Sequence, residues 1–198
     1  MARTQAIDYE QRREAIVETA AELYASKGFL GASISDLADA LGASKSLVYH
    51  YYSSKEDILF EVMDSHLRAL NDAVNLVVEM NIPAADRLRE LTRSMMRLYV
   101  GAASRHKVLL NELDSLPPER RANIVSRQER LIRIVEKLLV EIQPSLKKRK
   151  RAQTPAAMLF FGMINWTHTW FRVDGGASAV EVADMAADIT LRGLQGLE

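Results

Sequence analysis

The chain has no cysteine, which excludes disulfides, thiolate metal sites and a cysteine nucleophile. It is also poor in histidine, and the four it has, at positions 50, 66, 106 and 168, show no metal-ligand spacing. No His-Glu-x-x-His pair, phosphate-cradling glycine loop or nucleophile elbow occurs. Acidic pairs such as Glu112 and Asp114 stand two positions apart, so on a helix they point to different sides. The chain therefore reads as a non-enzyme with no cofactor and no metal. No apolar run reaches the roughly 18 residues of a membrane span, and the first residues lack the apolar core of a signal peptide. The expectation is a soluble, cytoplasmic protein without a membrane partner. Neither sign of charge is in excess, since Lys+Arg and Asp+Glu both total 26. The missing basic field counts mildly against nucleic acid, but a small basic surface on a dimer suffices where phosphate contacts are local.

What the chain does have is apolar side chain, 48% of its 198 residues. That is enough for a sizeable core, in one large domain or a small domain on a larger one. Its periodicity is helical almost throughout and strand signals are nearly absent, so the fold class is all-α with about nine helices. The first helix is expected over about 9–27, with Ile16, Ala20, Leu23 and Tyr24 on one stripe and Gly28 as its stop. A fourth over about 55–79 carries Ile58, Leu59, Val62, Met63 and Leu67. Pro83 precedes a helix over about 84–103, a shorter one follows, and Pro117-Pro118 breaks the chain before an amphipathic helix over about 119–142. Pro144 and the basic run 147–151 read as a connector, after which Thr154 caps a helix with Pro155 at its first position. That helix, to about residue 171, is apolar nearly all round, so more than one of its surfaces should be buried. Ser178 and Glu181 form a capping box for the last helix, to about residue 194.

The most specific stretch is 33–57. Ile34, Leu37, Ala38 and Leu41 fall at i, i+3, i+4, i+7 and give a short helix one apolar face. Ser33 and Asp36 resemble a capping box. Gly42 can take the left-handed conformation that ends a helix, and Ser44 can cap the next one. The pattern is a helix-turn-helix, and it directs the reading toward DNA.

With its aromatic run Tyr49-His50-Tyr51-Tyr52 and the start Ser54-Lys55-Glu56 of the following helix, this segment resembles the DNA-binding half of the TetR/AcrR family of bacterial transcriptional repressors. The resemblance is specific over about residues 9–60. It implies a helix-turn-helix domain over 1–54 and a ligand-binding and dimerisation domain over 55–198. It also implies a homodimer through the last two helices, a double-stranded DNA operator and a small-molecule effector held among helices 4 to 7.

Base edges in a major groove are read by the outward face of the second helix near its N-terminus. Val48 and Tyr52, four apart, fit the inward face. Lys45 and Ser46 can then bond a base or a phosphate, Tyr49 and Tyr51 carry hydroxyls suited to phosphate, and His50 can donate to either. Leu47 stands where the family places a small hydroxyl residue, and reads either as a thymine-methyl contact or as packing. Packing also competes for Tyr49 and Tyr51. Lys55 stands where the family holds the DNA backbone with a lysine. Ser33 and Ser35, like Ser44, lie at helix N-termini, where N–H groups suit a phosphate or simply a cap. Arg3 reads as part of an arm or as a solvated tail.

In the larger half, Met95, Met96, Tyr99, Met163, Trp166 and Trp170 are adaptable lining for a pocket, or plain core. Asn165 and His168 are polar residues in an apolar helix, each needing a partner or a ligand. The segment 161–171 resembles regulators of fatty-acid, phenylacetate or steroid-ring degradation that respond to acyl-CoA thioesters. By that resemblance Arg149 and Lys150, in the basic run, serve a CoA phosphate; otherwise the run is a solvated surface. Two other readings remain: a drug- or lipid-sensing regulator of an efflux gene, and a helical protein–protein adaptor.

Overall fold

Helices are the only regular elements among the described residues. The structure, a computed structural model, describes residues 2–196, with side chains for residue 7 and from residue 9 onward. The order is α1 (Ala2–Lys27), α2 (Ile34–Ala40), α3 (Lys45–Tyr51), α4 (Lys55–Val78), α5 (Ala84–Gly101), α6 (Ala103–Asn111), α7 (Pro118–Ile142), α8 (Lys150–Asn165), α9 (Thr167–Trp170) and α10 (Ala179–Gln195). Short 3-10 turns occupy Leu113–Ser115 and Pro144–Lys147. The nine expected helices are all present, with the four-residue α9 as a continuation of the eighth.

Two boundaries differ from the sequence reading. Helix α1 starts at Ala2 rather than near residue 9, because nothing in the polar segment before Tyr9 stops a helix and Ala, Arg and Gln propagate one well. The segment around Arg3, open to either an arm or a solvated tail, is therefore helical in its backbone, and the Arg3 side chain lies outside the described residues. Helix α8 starts at Lys150, so Pro155 sits inside it and Thr154 does not cap it. Thr154 Oγ1 instead donates to Glu136 Oε1 at 2.5 Å. The connector is shorter than expected: Leu146 is fully buried and anchors the 3-10 turn, and the last two residues of the basic run already belong to α8. Proline's φ suits this conformation, at the loss of the one intrahelical bond that its missing N–H would have made.

The chain divides into two units, residues up to 67 with 104–124, and 68–103 with the remainder. Helix α4 contributes residues to both. In the first unit Val17, Ala20, Ala21, Leu37, Val48, Ile58, Leu59 and Val62 are buried, each large one contributing about 1.5–3 kcal/mol of transfer free energy. A polar cluster lies beside them. The largely buried Arg105 donates from Nε to Glu18 Oε2 at 2.8 Å, from Nη1 to Ser65 Oγ at 3.2 Å and from Nη2 to Glu14. One guanidinium thus ties α6 to α1 and α4. Next to it His66 Nε2 and His106 Nδ1 approach to 3.2 Å in the interior. A hydrogen bond between two ring nitrogens needs one of them as an acceptor, so at least one ring is neutral. Burial, aided by the Arg105 charge, pushes His66 down to about 4.

In the second unit α5 and α10 pack closely over the small buried residues Ala183, Ala186 and Ala187. Arg93 grips Asp184 with two parallel bonds, Nε–Oδ1 at 2.7 Å and Nη2–Oδ2 at 2.9 Å, and Arg89 meets Asp188 one turn along. The bidentate geometry fixes the register of the two helices more firmly than single surface pairs would. Gln143 Nε2 donates to the Leu194 carbonyl at 3.0 Å and closes the end of α10.

Two outcomes are expected. An unfolded histidine takes up its proton near pH 6.5 while the folded His66 resists until about 4. Its stabilising share is therefore complete above the unfolded value and declines by about 3 kcal/mol as pH falls across that window. Urea unfolding against pH should show the decline, reduced in His66→Gln, and NMR should show His66 unprotonated at pH 5.5. A protonated His66 at that pH contradicts the reading. Gly42 has φ +60° and a Cβ there would meet nothing within 4 Å, so Gly42→Ala should lose about 1 kcal/mol from backbone strain alone and Gly42→Asn less. Equal urea midpoints for the glycine and alanine chains would refute it.

Candidate nucleic-acid interface

The turn between α2 and α3 is built by short-range bonds. Ser33 Oγ accepts from the Asp36 N–H at 3.1 Å while the Ser33 N–H donates to Asp36 Oδ2 at 2.8 Å, a complete capping box. Lys27 Nζ adds a bond to Asp36 Oδ1 at 3.0 Å. The Ser33 hydroxyl, then Lys27, hold the Asp36 carboxyl below the usual carboxylate range. At the far end of α2, the N–H groups of Gly42 and Ala43 reach back to the Asp39 and Ala38 carbonyls at 3.1 and 2.9 Å. Ser44 then starts α3, its Oγ accepting from the Leu47 N–H at 3.2 Å.

Helix α3 is oriented by its inward residues. Val48 is fully buried and Tyr52, just past the helix, is 7% exposed. Tyr52 has Arg13 over its ring at 5.8 Å, and burial, ahead of its neighbours' charges, raises its hydroxyl to about 12. With those positions turned in, Lys45, Ser46, Tyr49 and His50 form an exposed stripe at i, i+1, i+4, i+5. Leu47 and Tyr51 flank it, half-buried. The Tyr51 ring is held by Tyr9 of α1 at 4.7 Å and by the edge of His50 at 5.2 Å. The sequence reading did not foresee Tyr9, because nothing local links positions 9 and 51.

Other expected contacts have intramolecular partners. Lys55 Nζ donates to the Phe29 carbonyl and lies 4.0 Å from the centre of the Phe29 ring, locking the loop after α1 onto the start of α4. Ser33 is exposed but committed to its cap, and Asp36 already supplies the negative charge that the N-terminus of α2 favours. Ser35 is half-buried and Ser44 is exposed.

The effector candidates separate into three groups. Met95, Met96 and Tyr99 are buried, and the Tyr99 hydroxyl donates to Asn165 Oδ1 at 2.8 Å. Burial raises the Tyr99 hydroxyl far above its ordinary value, so it stays a donor. Met163 and His168 are half-buried. Trp166 and Trp170 turn outward, 64% and 52% exposed, and the basic run 147–151 with Arg149 and Lys150 is exposed too. The polar residues in this apolar stretch find partners locally. Thr167 Oγ1 donates to the Ile164 carbonyl at 2.6 Å, Thr169 Oγ1 to the Trp166 carbonyl at 2.8 Å, and His168 Nδ1 lies 2.8 Å from the Asn165 carbonyl. Side chains that bond the preceding turn compete with the helix ladder, which accounts for the break between α8 and α9. Among the described residues no group of three histidines and carboxylates could hold a metal ion, and no helix is long and apolar enough to cross a membrane.

Known proteins share both the pattern and the fold. Residues 16–62 match the family described as bacterial regulatory proteins, tetR family, and residues 81–194 match the tetracyclin repressor-like C-terminal domain. A TetR-family transcriptional regulator from Bordetella parapertussis 12822 superposes with a TM-score of 0.89 at 34% identity, over 96% of this chain and 98% of that one. AibR, solved in complex with isovaleryl coenzyme A and operator DNA, superposes with a TM-score of 0.77 at 27% identity, over 90% and 97%. The transcriptional repressor KstR2 of Rhodococcus jostii is 24% identical over 187 residues, covering 92% of this chain and 91% of the relative. The chain belongs to the tetR family of bacterial regulatory proteins, helix-turn-helix transcriptional regulators rather than enzymes.

Proposed function

We propose that this chain is an effector-responsive repressor, with residues 1–54 as the DNA-reading head and 55–198 as the effector-binding and dimerisation body. A homodimer sets two copies of α3 in successive major grooves of a pseudo-palindromic operator, about one helical turn apart. The observation that carries this is the exposed stripe Lys45-Ser46-Tyr49-His50 standing over the buried Val48. Lys45 and Ser46, at the N-terminal end of α3, reach base edges or phosphates, Tyr49 and Tyr51 bond phosphates, and Leu47 meets a thymine methyl. Ser35, in the first turn of α2, and the N-terminus capped by Ser44 hold the backbone, while Lys55, bonded to the Phe29 carbonyl, and Ser33, bonded to Asp36, orient the elements that do so.

Dimerisation through α8 and α10 is supported by the large apolar side chains left exposed on them, among them Leu159 at 73%, Met185 at 61% and Ile189 at 55%. An acyl-CoA-type effector is supported by AibR, which was solved with isovaleryl coenzyme A. The acyl part lies near Met95, Met96, Tyr99 and Asn165, while Arg149 and Lys150 attract a phosphate. Binding shifts α4 and changes the spacing of the two heads. A preference for the released state of about 10²–10⁴-fold is enough to empty the operator.

Fluorescence anisotropy on duplex DNA upstream of the chain's own gene tests the head. Affinity should fall steeply with salt. Lys45→Ala should weaken binding about tenfold and make the salt slope shallower by about two, roughly one for each copy in the dimer. Salt-insensitive binding would instead favour a protein–protein adaptor. Thermal denaturation tests the body: an acyl-CoA thioester at a hundred times its Kd should stabilise by about 2.7 kcal/mol and release the DNA. Stabilisation by free hydrophobic drugs or lipids alone would replace the thioester reading with an efflux-type sensor.

A further inference from the structure

Helix α1 carries a stripe that runs past its buried part. Tyr9, Arg13, Val17, Ala20 and Tyr24 recur at i, i+4, i+8, i+11 and i+15, and the last three are buried. The buried residues fix the rotation of α1 about its axis. Arg13 pins it further: Nη2 meets Glu61 of α4 at 3.0 Å, and the guanidinium lies 5.8 Å from the centre of the Tyr52 ring. Tyr9, one turn earlier on the same stripe, is thereby aimed at Tyr51, with ring centroids 4.7 Å apart and planes tilted by 35°. Two residues of α1 thus grip two consecutive residues at the end of α3.

That end of α3 has little else to hold it. The Ser44 cap secures the start of the helix and the buried Val48 its middle. The Tyr52 N–H donates to the Val48 carbonyl at 3.0 Å, and the chain then leaves the helix with Tyr52 extended at φ −137°, ψ 127°. No further helical turn buttresses Tyr51, whose ring in turn meets the exposed His50 ring edge-on at 5.2 Å. Tyr9 is 41% exposed, so its stack on Tyr51 is a support at the rim of the reading surface and not a core contact. Tyr9 and Arg13 both precede residue 16, where the match to the family's DNA-binding segment begins.

We propose that Tyr9 is a positioning residue for operator recognition: its ring fixes Tyr51, and through Tyr51 the His50 side of the reading stripe. The inference rests on α3 being the DNA-reading helix. Sequence-specific contacts need side chains at fixed places on base edges and phosphates. Non-specific binding depends on charge, which Tyr9 does not carry. Order that the stack supplies beforehand must otherwise be gained on binding. Losing the stack costs roughly threefold in each head, hence about tenfold for a dimer, and the cost falls on discrimination rather than on salt dependence.

Fluorescence anisotropy of the full chain, on the duplex upstream of its own gene and on a shuffled duplex of equal length and composition, tests this. Tyr9→Ala should weaken the first about tenfold and the second less than twofold, with the salt slope unchanged. Tyr9→Phe, which keeps the ring, should stay within twofold of the wild type. In a Tyr51→Ala background Tyr9→Ala should add less than twofold, because the residue it positions is gone. Amide hydrogen exchange without DNA should quicken about threefold at the Tyr52 N–H in Tyr9→Ala, while the Leu37 N–H of α2 keeps its rate and shows the variant to be folded. The proposal is overturned if Tyr9→Ala leaves discrimination unchanged beside a discriminating wild type, or if its effect adds in full to that of Tyr51→Ala. It is overturned too if Tyr9→Phe loses as much as Tyr9→Ala, since the hydroxyl is then a phosphate contact. A wild type that prefers neither duplex overturns instead the DNA reading beneath the proposal, and the Tyr52 exchange rate then decides alone whether Tyr9 holds the end of α3.

Discussion

The interface rests on the register of α3, a helix of seven residues. Each step along a helix turns a side chain by roughly 100°, so a slip of one residue would bury part of the Lys45-Ser46-Tyr49-His50 stripe. The fully buried Val48 and the nearly buried Tyr52 prevent that slip. A helix this short has little stability of its own. Its direction comes from packing and from two local devices, the left-handed Gly42 before it and the Ser44 cap at its start. The Tyr9 and His50 rings against Tyr51, and Lys55 on Phe29, then brace the surroundings.

The two units solve the problem of holding helices together differently. In the first, polar groups are brought inside and linked: Arg105 serves two glutamates and a serine, and His66 and His106 meet through one hydrogen bond beside it. Such an arrangement specifies one geometry, since any other strands a buried charge. It also makes the interior sensitive to acid. In the second, α5 and α10 approach over alanines and are indexed by the paired Arg89/Arg93 and Asp184/Asp188 at their edge. Small residues permit closeness, and the fork geometry of Arg93 selects the register.

Within one chain the nearly all-apolar segment after Pro155 is buried on one face, and its second apolar face is the one that the proposed dimer covers. Ala157, Phe160, Phe161 and Ile164 are inside, while Met158, Leu159, Trp166 and Trp170 are not. Periodicity tells which residues are apolar but not what covers them. The tryptophans consequently read as pocket lining in sequence and stand outward in the structure. Of the two polar ligand candidates beside them, His168 lies against the Asn165 carbonyl of the preceding turn and Asn165 accepts from the Tyr99 hydroxyl.

What the sequence by itself determined is the set of features that close over a few residues. The all-α class, the helix-turn-helix, the capping boxes Ser33–Asp36 and Ser178–Glu181, the Gly42 turn and the inward pair Val48/Tyr52 all follow from spacings of three or four. Helix starts were less legible, as α1 and α8 demonstrate, because good helix formers extend an element past its apolar stripe. Only the tertiary structure decided which distant residues meet: Tyr9 with Tyr51, Phe29 with Lys55, His66 with His106, Tyr99 with Asn165, and Arg87 with the basic face of α7. The physical reason is that a cap or turn is satisfied within one helical turn. Contacts between residues tens of positions apart depend instead on how whole helices pack, and single residue types do not encode that.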